Sequence, residues 1–284
     1  MTNLELIKNN EYLNDFIVRN GLSDEFVNSH INAFLSVLES RGKCLNCKGL
    51  YTCKQLSIGE RLDLSFDEIL FSEIEYCEFM ENKIKEDNLV QSYVYSDIPS
   101  NFNNVDINSI ELLDDYQKQL CAKLLAILMN KTDKGLYIYG DLGVGKTYEC
   151  IGLANALVKA GKKVAFVKVS NFINEMRKLV GTDTVLYDSY ISKVKEVEYL
   201  FLDDIGSESV SSFSRDDILF NVLDYRMENK LCTVFTSNLS KEDLLKHYTF
   251  DKKDNSNLMR ARRLLERIDI LGEDFVLAGS NKRR

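Results

Sequence analysis

Proline is nearly absent from this chain: Pro99 is the only one among 284 residues. That excludes a proline-rich spacer and leaves the helices and strands free of its interruption. Histidine is almost as scarce, with only His30 and His247. No apolar run approaches the roughly 20 residues that span a bilayer. The opening stretch, MTNLELIKNN, lacks the basic segment and hydrophobic core of a signal peptide. A cytoplasmic protein without membrane contact is the expectation. Basic residues are scarce in the first part of the chain. Residues 1–110 carry 9 Lys and Arg against 18 Asp and Glu, whereas residues 111–284 carry 27 against 26. An acidic segment repels nucleic-acid phosphates, so it suits a protein partner better.

What remains is ordinary globular composition, with 45% hydrophobic and 28% charged residues. Apolar residues at helical spacing predict two helices in the first forty residues. Gly21 stops the first, Ser23 caps the second, and Gly42 lies past its end. A second helical or mixed stretch is expected in SFDEILFSEIEYCEFMENKIKE. YSDIPSNFNNVDINS has linker composition, which predicts a first domain over 1–90, a linker over 91–111 and a main domain over 112–284. In the main domain, a helix from Leu112 precedes five apolar runs: LYIY, VAFVKV, YLFLDD, TVFTSN and FVLAG. Helices are predicted between them, starting near Lys146, Ser170, Ser214 and Ser240. Apolar strands alternating with helices predict an α/β fold with a parallel sheet covered on both faces.

GDLGVGKTYE supplies the chemistry. Residues 140–147 match G-x-x-x-x-G-K-[ST], placed between a strand and a helix. Glycines let backbone N–H groups close around phosphate oxygens, and the helix adds its positive end. The expected nucleotide-binding residues are Gly140, Asp141, Gly143, Val144, Gly145, Lys146, Thr147 and Tyr148. Lys146 is assigned to the β- and γ-phosphates of ATP, and Thr147 to Mg²⁺. YLFLDD ends in Asp203 and Asp204. Asp203 is expected to orient Mg²⁺ and Asp204 to act as general base on water. Glu208 is either a supporting acid or a surface charge. TVFTSN ends in Asn238, which can contact both γ-phosphate and water. Two acids and a polar strand end fit water, rather than a second substrate, as phosphoryl acceptor.

Residues 259–284 hold seven basic side chains: Arg260, Arg262, Arg263, Arg267, Lys282, Arg283 and Arg284. In an oligomeric ATPase one arginine would reach a neighbour's γ-phosphate, and others can meet a nucleic-acid backbone. Cys44, Cys47, Cys53 and Cys77 fall within 34 residues. In a reducing compartment such a cluster predicts zinc rather than disulfides, and four thiolates suit a tetrahedral ion.

These motifs in this order resemble the primosomal DnaI-type helicase loaders, DnaC-like AAA+ ATPases related to the IstB transposition helpers. The resemblance implies an AAA+ ATPase domain behind a small, mainly helical, zinc-binding domain. It implies an ATP-dependent loader that places the hexameric replicative helicase on single-stranded DNA during primosome assembly. The first domain would grip the helicase, and self-association is expected. The resemblance assigns Arg267 as the arginine finger, and Arg283 or Lys282 as the cis sensor of bound nucleotide. It implies a histidine among the zinc ligands, where this chain offers Cys53. Two other functions stay open: an IstB-like transposition helper on duplex DNA, and an adaptor whose nucleotide only sets its shape.

Overall fold

The computed structural model describes residues 2–110, 114–251, 255–279 and 281–282, which form two units, residues 1–87 and 88–284. In the first unit, polar caps divide the apolar pattern into short helices. Thr2 and Glu5 cap α1 (Asn3–Asn9) reciprocally, Asn10 caps α2 (Glu11–Arg19), and Ser23 caps α3 (Asp24–Ser29). α4 (Ile31–Lys43) takes Gly42 into its last turn rather than ending before it. Ile7, Leu13, Ile17, Val27, Phe34 and Val37 bury together with Leu64.

The stretch expected to be helical or mixed is first a hairpin. β1 (Glu60–Asp67) pairs antiparallel with β2 (Ile69–Tyr76), with Glu68 at φ 60 in the turn. α5 (Glu78–Gln91) begins only after it. Alternation of apolar and polar residues in SEIEY has the period of a strand, and that period prevails. Behind the hairpin, the Tyr12 hydroxyl donates to Asp63 at 2.6 Å, and Arg41 Nη2 reaches Asp63 at 3.0 Å and Glu75 at 2.7 Å. Burial pushes the Asp63 carboxyl up, but Tyr12, the Leu64 N–H and Arg41 outweigh it and hold its pKa below the usual value.

The second unit is built on one parallel sheet. Its strands are β3 (Tyr95–Ser96), β4 (Gly135–Tyr139), β5 (Val164–Lys168), β6 (Tyr199–Asp203), β7 (Cys232–Ser237) and β8 (Gly272–Val276), ordered β3-β5-β6-β7-β4-β8. β3 lies in the stretch read as linker. It pairs with β5, Tyr95 opposite Ala165, and two residues are too few to show a period. The helices are α6 (Asp115–Leu128), α7 (Lys146–Lys159), α8 (Val169–Leu179), α9 (Thr184–Glu196), α10 (Asn221–Glu228), α11 (Lys241–Tyr248) and α12 (Asn255–Leu271); a π-helical segment, Phe213–Phe220, precedes α10. Helix α6 is capped by Asp114; Leu112, where that helix was expected to begin, lies outside the described residues.

Side chains alternate between two cores. Ala165, Val167, Leu200, Leu202 and Phe235 face one, and Val164, Phe166, Phe201, Val234 and Ile138 the other. Burying each Val, Leu, Ile or Phe among them contributes about 1.5–3 kcal/mol. This double coverage explains the unbroken apolar runs. It also carries the ends of β4, β6 and β7, neighbours in the sheet, to one edge.

Candidate functional site

The loop between β4 and α7 turns through backbone that only glycine adopts without strain. Gly143 has φ 81 and Gly145 φ 106. A cavity of about 1090 Å³ opens at this edge, lined among others by Gly143, Gly145, Lys146, Thr147, Tyr148, Asp203, Asp204, Asn238 and Lys282. Val144 is buried behind the loop. Gly140 closes on the Leu277 carbonyl, which a Cβ there would meet at 2.1 Å.

The predicted polar residues form one hydrogen-bonded set. Lys146 Nζ donates to the carbonyls of Gly140 at 2.7 Å and Asp141 at 2.8 Å, and to Asn238 Oδ1 at 2.9 Å. Asn238 Nδ2 donates to Asp204 Oδ1 at 2.8 Å. Asn238 therefore links the loop lysine to an acid at the end of the neighbouring strand. The hydroxyls of Thr147 and Thr236 both donate to Asp203 Oδ1 at 2.7 Å. Burial raises the pKa of Asp203, and the two hydroxyls draw it back down. The Thr147 hydroxyl and Asp203 carboxylate are the hard oxygen donors that suit Mg²⁺. A bound Mg²⁺ would neutralise phosphate charge beside them.

Asp204 adopts φ 58, a left-handed conformation that costs a non-glycine residue about 1 kcal/mol or more. Its N–H donates to Thr236 Oγ1 at 2.9 Å, fixing the turn. Glu208 stands behind it and is buried, not a surface charge. It accepts from the Gly206 N–H at 2.9 Å and from the Tyr248 hydroxyl. The Tyr248 carbonyl accepts from Arg215 Nη1 at 2.8 Å, and Arg215 also donates to Asn257 at the start of α12.

Several cavity residues carried no site role in the sequence reading. Pro99, Phe102, Ile110, Gln117, Glu149, Lys168 and Thr236 all line it. Phe102 and Tyr148 meet edge to face at 5.9 Å, forming an apolar wall suited to a nucleotide base. The IPSNF sequence was the available signal, but its position beside α7 is a product of the fold.

Arg267 is not at the cavity. Its Nε donates to Asp224 at 2.8 Å, its Nη1 to Glu266 at 2.6 Å, and its guanidinium lies over Phe220. Arg283 lies outside the described residues. Lys282, the other candidate, lines the cavity.

The four cysteines line a separate cavity of about 140 Å³ in the first unit. No three His, Cys, Asp or Glu side chains among the described residues come together to hold a metal. The expected four-thiolate cluster is therefore not assembled. The sulfurs meet local partners instead. Cys47 Sγ donates to the Gly49 carbonyl at 3.4 Å, Cys44 Sγ accepts from Gln55 at 3.3 Å, and Cys53 Sγ accepts from the Gly59 N–H at 3.4 Å. Two sulfurs thus already accept N–H bonds, as a metal-bound thiolate does, and four soft donors on one cavity are chemically suited to zinc.

The chain is 29% identical over 268 residues to the replicative helicase loader DnaI of Bacillus subtilis (strain 168), spanning 92% of this chain and 85% of that protein. It superposes on a crystal structure of DnaI with a TM-score of 0.58 at 28% identity, covering 69% of this chain and 100% of that one. A putative primosome component from Streptococcus pyogenes serotype M3 gives 0.55 at 27% identity, covering 69% and 97%. The sheet with its phosphate loop matches AAA+ P-loop domains. No helix among the described residues is long and apolar enough to cross a membrane. The model of the IstB-like ATP binding proteins matches residues 81–273, and the chain belongs to that family.

Proposed function

We propose that this protein is an ATPase that loads a hexameric replicative helicase onto single-stranded DNA. The observation that carries the ATPase reading is the linkage Lys146–Asn238–Asp204 beside the Thr147–Asp203 pair. It fits a site in which a phosphate-binding lysine, an acid and a polar sensor answer to one γ-phosphate. Lys146 exchanges its loop carbonyls for β- and γ-phosphate oxygens. Thr147 and Asp203 would hold Mg²⁺, which would neutralise phosphate charge. Asn238 orients a water, and the Asp204 carboxylate takes its proton. Arg267 leaves Asp224 to serve the site of a neighbouring copy, and Arg283 or Lys282 contacts phosphate in cis.

The loader reading draws on the similarity to DnaI, which covers 92% of the chain and so extends into the first unit. That acidic unit would grip the helicase, with zinc on Cys44, Cys47, Cys53 and Cys77 bracing its loops. The test combines two measurements. Residues 1–90 should retain the host hexameric helicase in a pull-down. The full chain should hydrolyse ATP, with turnover responding to helicase and single-stranded DNA. Background turnover with both present would favour the adaptor. The family match keeps a second function in view, a transposition helper. Strong preference for duplex over single-stranded DNA, without helicase binding, would favour it.

A further inference from the structure

Helix α7 packs its first turns against the core, and Glu149 occupies a position where an apolar side chain would be expected. It is 1% exposed. Its Oε1 accepts from Gln117 Nε2 at 3.3 Å, while Oε2 finds no hydrogen-bond partner among the described residues. An unpaired buried polar atom loses its hydration without a replacement, so the carboxyl group needs a reason to be there. Burial raises its pKa to about 7, and the nearby Lys282 ammonium pulls it the other way.

After β8, Leu277, Asn281 and Lys282 lie against the phosphate loop and the strand before it. The Leu277 N–H donates to the Tyr139 carbonyl at 2.8 Å, and the Lys282 N–H donates to the Gly143 carbonyl at 2.9 Å. Between them Asn281 lies against Gly143, so closely that a Cβ there would come within 2.1 Å of Oδ1. A Cβ at Gly145 would lie 3.6 Å from Lys282 Nζ and 3.8 Å from Glu149 Oε1. The ammonium and the carboxyl group therefore flank the same glycine. Lys282 also lines the nucleotide cavity.

We propose that Glu149 is a positioning residue whose buried carboxylate holds the Lys282 ammonium, and the strap that carries it, over the phosphate loop. This rests on the reading that the cavity binds a nucleotide. A lysine side chain has rotamer freedom to lose when its ammonium is fixed. A counter-charge beneath the loop reduces what is lost when the ammonium meets phosphate. Glu149 itself does not touch the nucleotide; it acts through Lys282.

A double-mutant cycle on the full chain tests this, with ADP and AMP as probes in calorimetric binding. Glu149→Gln, which keeps the shape, and Lys282→Ala should each weaken ADP about tenfold and AMP little. The pair should be no weaker than Lys282→Ala alone, because Glu149 has nothing left to position. Lys282→Arg should restore ADP binding and its dependence on Glu149. Glu149→Asp, which keeps the charge but shortens the reach, should give an intermediate loss and serves if the glutamine variant does not fold. Equal losses from Glu149→Gln with and without Lys282 would overturn the proposal, as would unchanged ADP affinity. Absence of ADP binding by the unaltered protein would overturn the nucleotide reading itself, and this one with it.

Discussion

Arg267 shows how far a single residue can be read. Its place in an ERI segment suggested a group reaching a neighbour's phosphate, yet its guanidinium is held by Asp224 and Glu266. Removing it should leave nucleotide binding intact, because it lies away from its own cavity. Steady-state hydrolysis by Arg267→Ala should fall by a factor of about 10³ or more if the finger role holds. Normal turnover in that variant would remove the role. Lys146, Thr147, Asp203 and Asp204 were legible because their positions relative to glycines and strand ends are fixed by local geometry. Glu149 and Phe102 were not. Their placement at the cavity depends on α6 and the segment after Pro99 coming beside α7, which no local spacing encodes.

The elements of the sheet were readable where strands are buried on both faces. They were not readable in the first unit, where a hairpin lay in a stretch read as helical or mixed, nor at β3 of the second unit, which lay in the stretch read as linker. In that hairpin Asp63 has a pKa below its ordinary value. The unfolded chain then binds the proton more readily than the folded one. Asp63 therefore contributes stability above the unfolded carboxylate range, near pH 4, and that contribution is lost as pH falls through its folded pKa. Calorimetric scans between pH 6 and pH 3, values chosen to bracket about pH 4, should show the first unit losing stability on acidification. Asp63→Asn should be less stable at neutral pH and show a shallower dependence. The loop between α4 and β1 offers a second prediction. Elemental analysis should find about one zinc per chain, and Cys44→Ser or Cys47→Ser should lower that content. Metal-free protein with unchanged unfolding would remove zinc from the account.

At the scale of the whole molecule, two units carry separate cores, one around Phe34 and the others around the parallel sheet. Lys146→Ala should therefore abolish ATP binding, measured with a fluorescent analogue, while the thermal transition of the first unit stays where it was. Charge divides along similar lines, with the acidity concentrated before residue 111. This division was visible in the sequence because charge is additive, whereas the contacts of Arg215 were not. That side chain is 1% exposed and joins the end of α11 to the start of α12, while Glu208 joins α11 to the turn after β6. Stranding a buried guanidinium costs several kcal/mol, so these pieces are held to one another. Should copies assemble as proposed, a subunit offering Arg267 to its neighbour would also transmit the state of its own acidic turn. An unpaired Arg215 would then loosen both the acidic turn and the helix that carries Arg267.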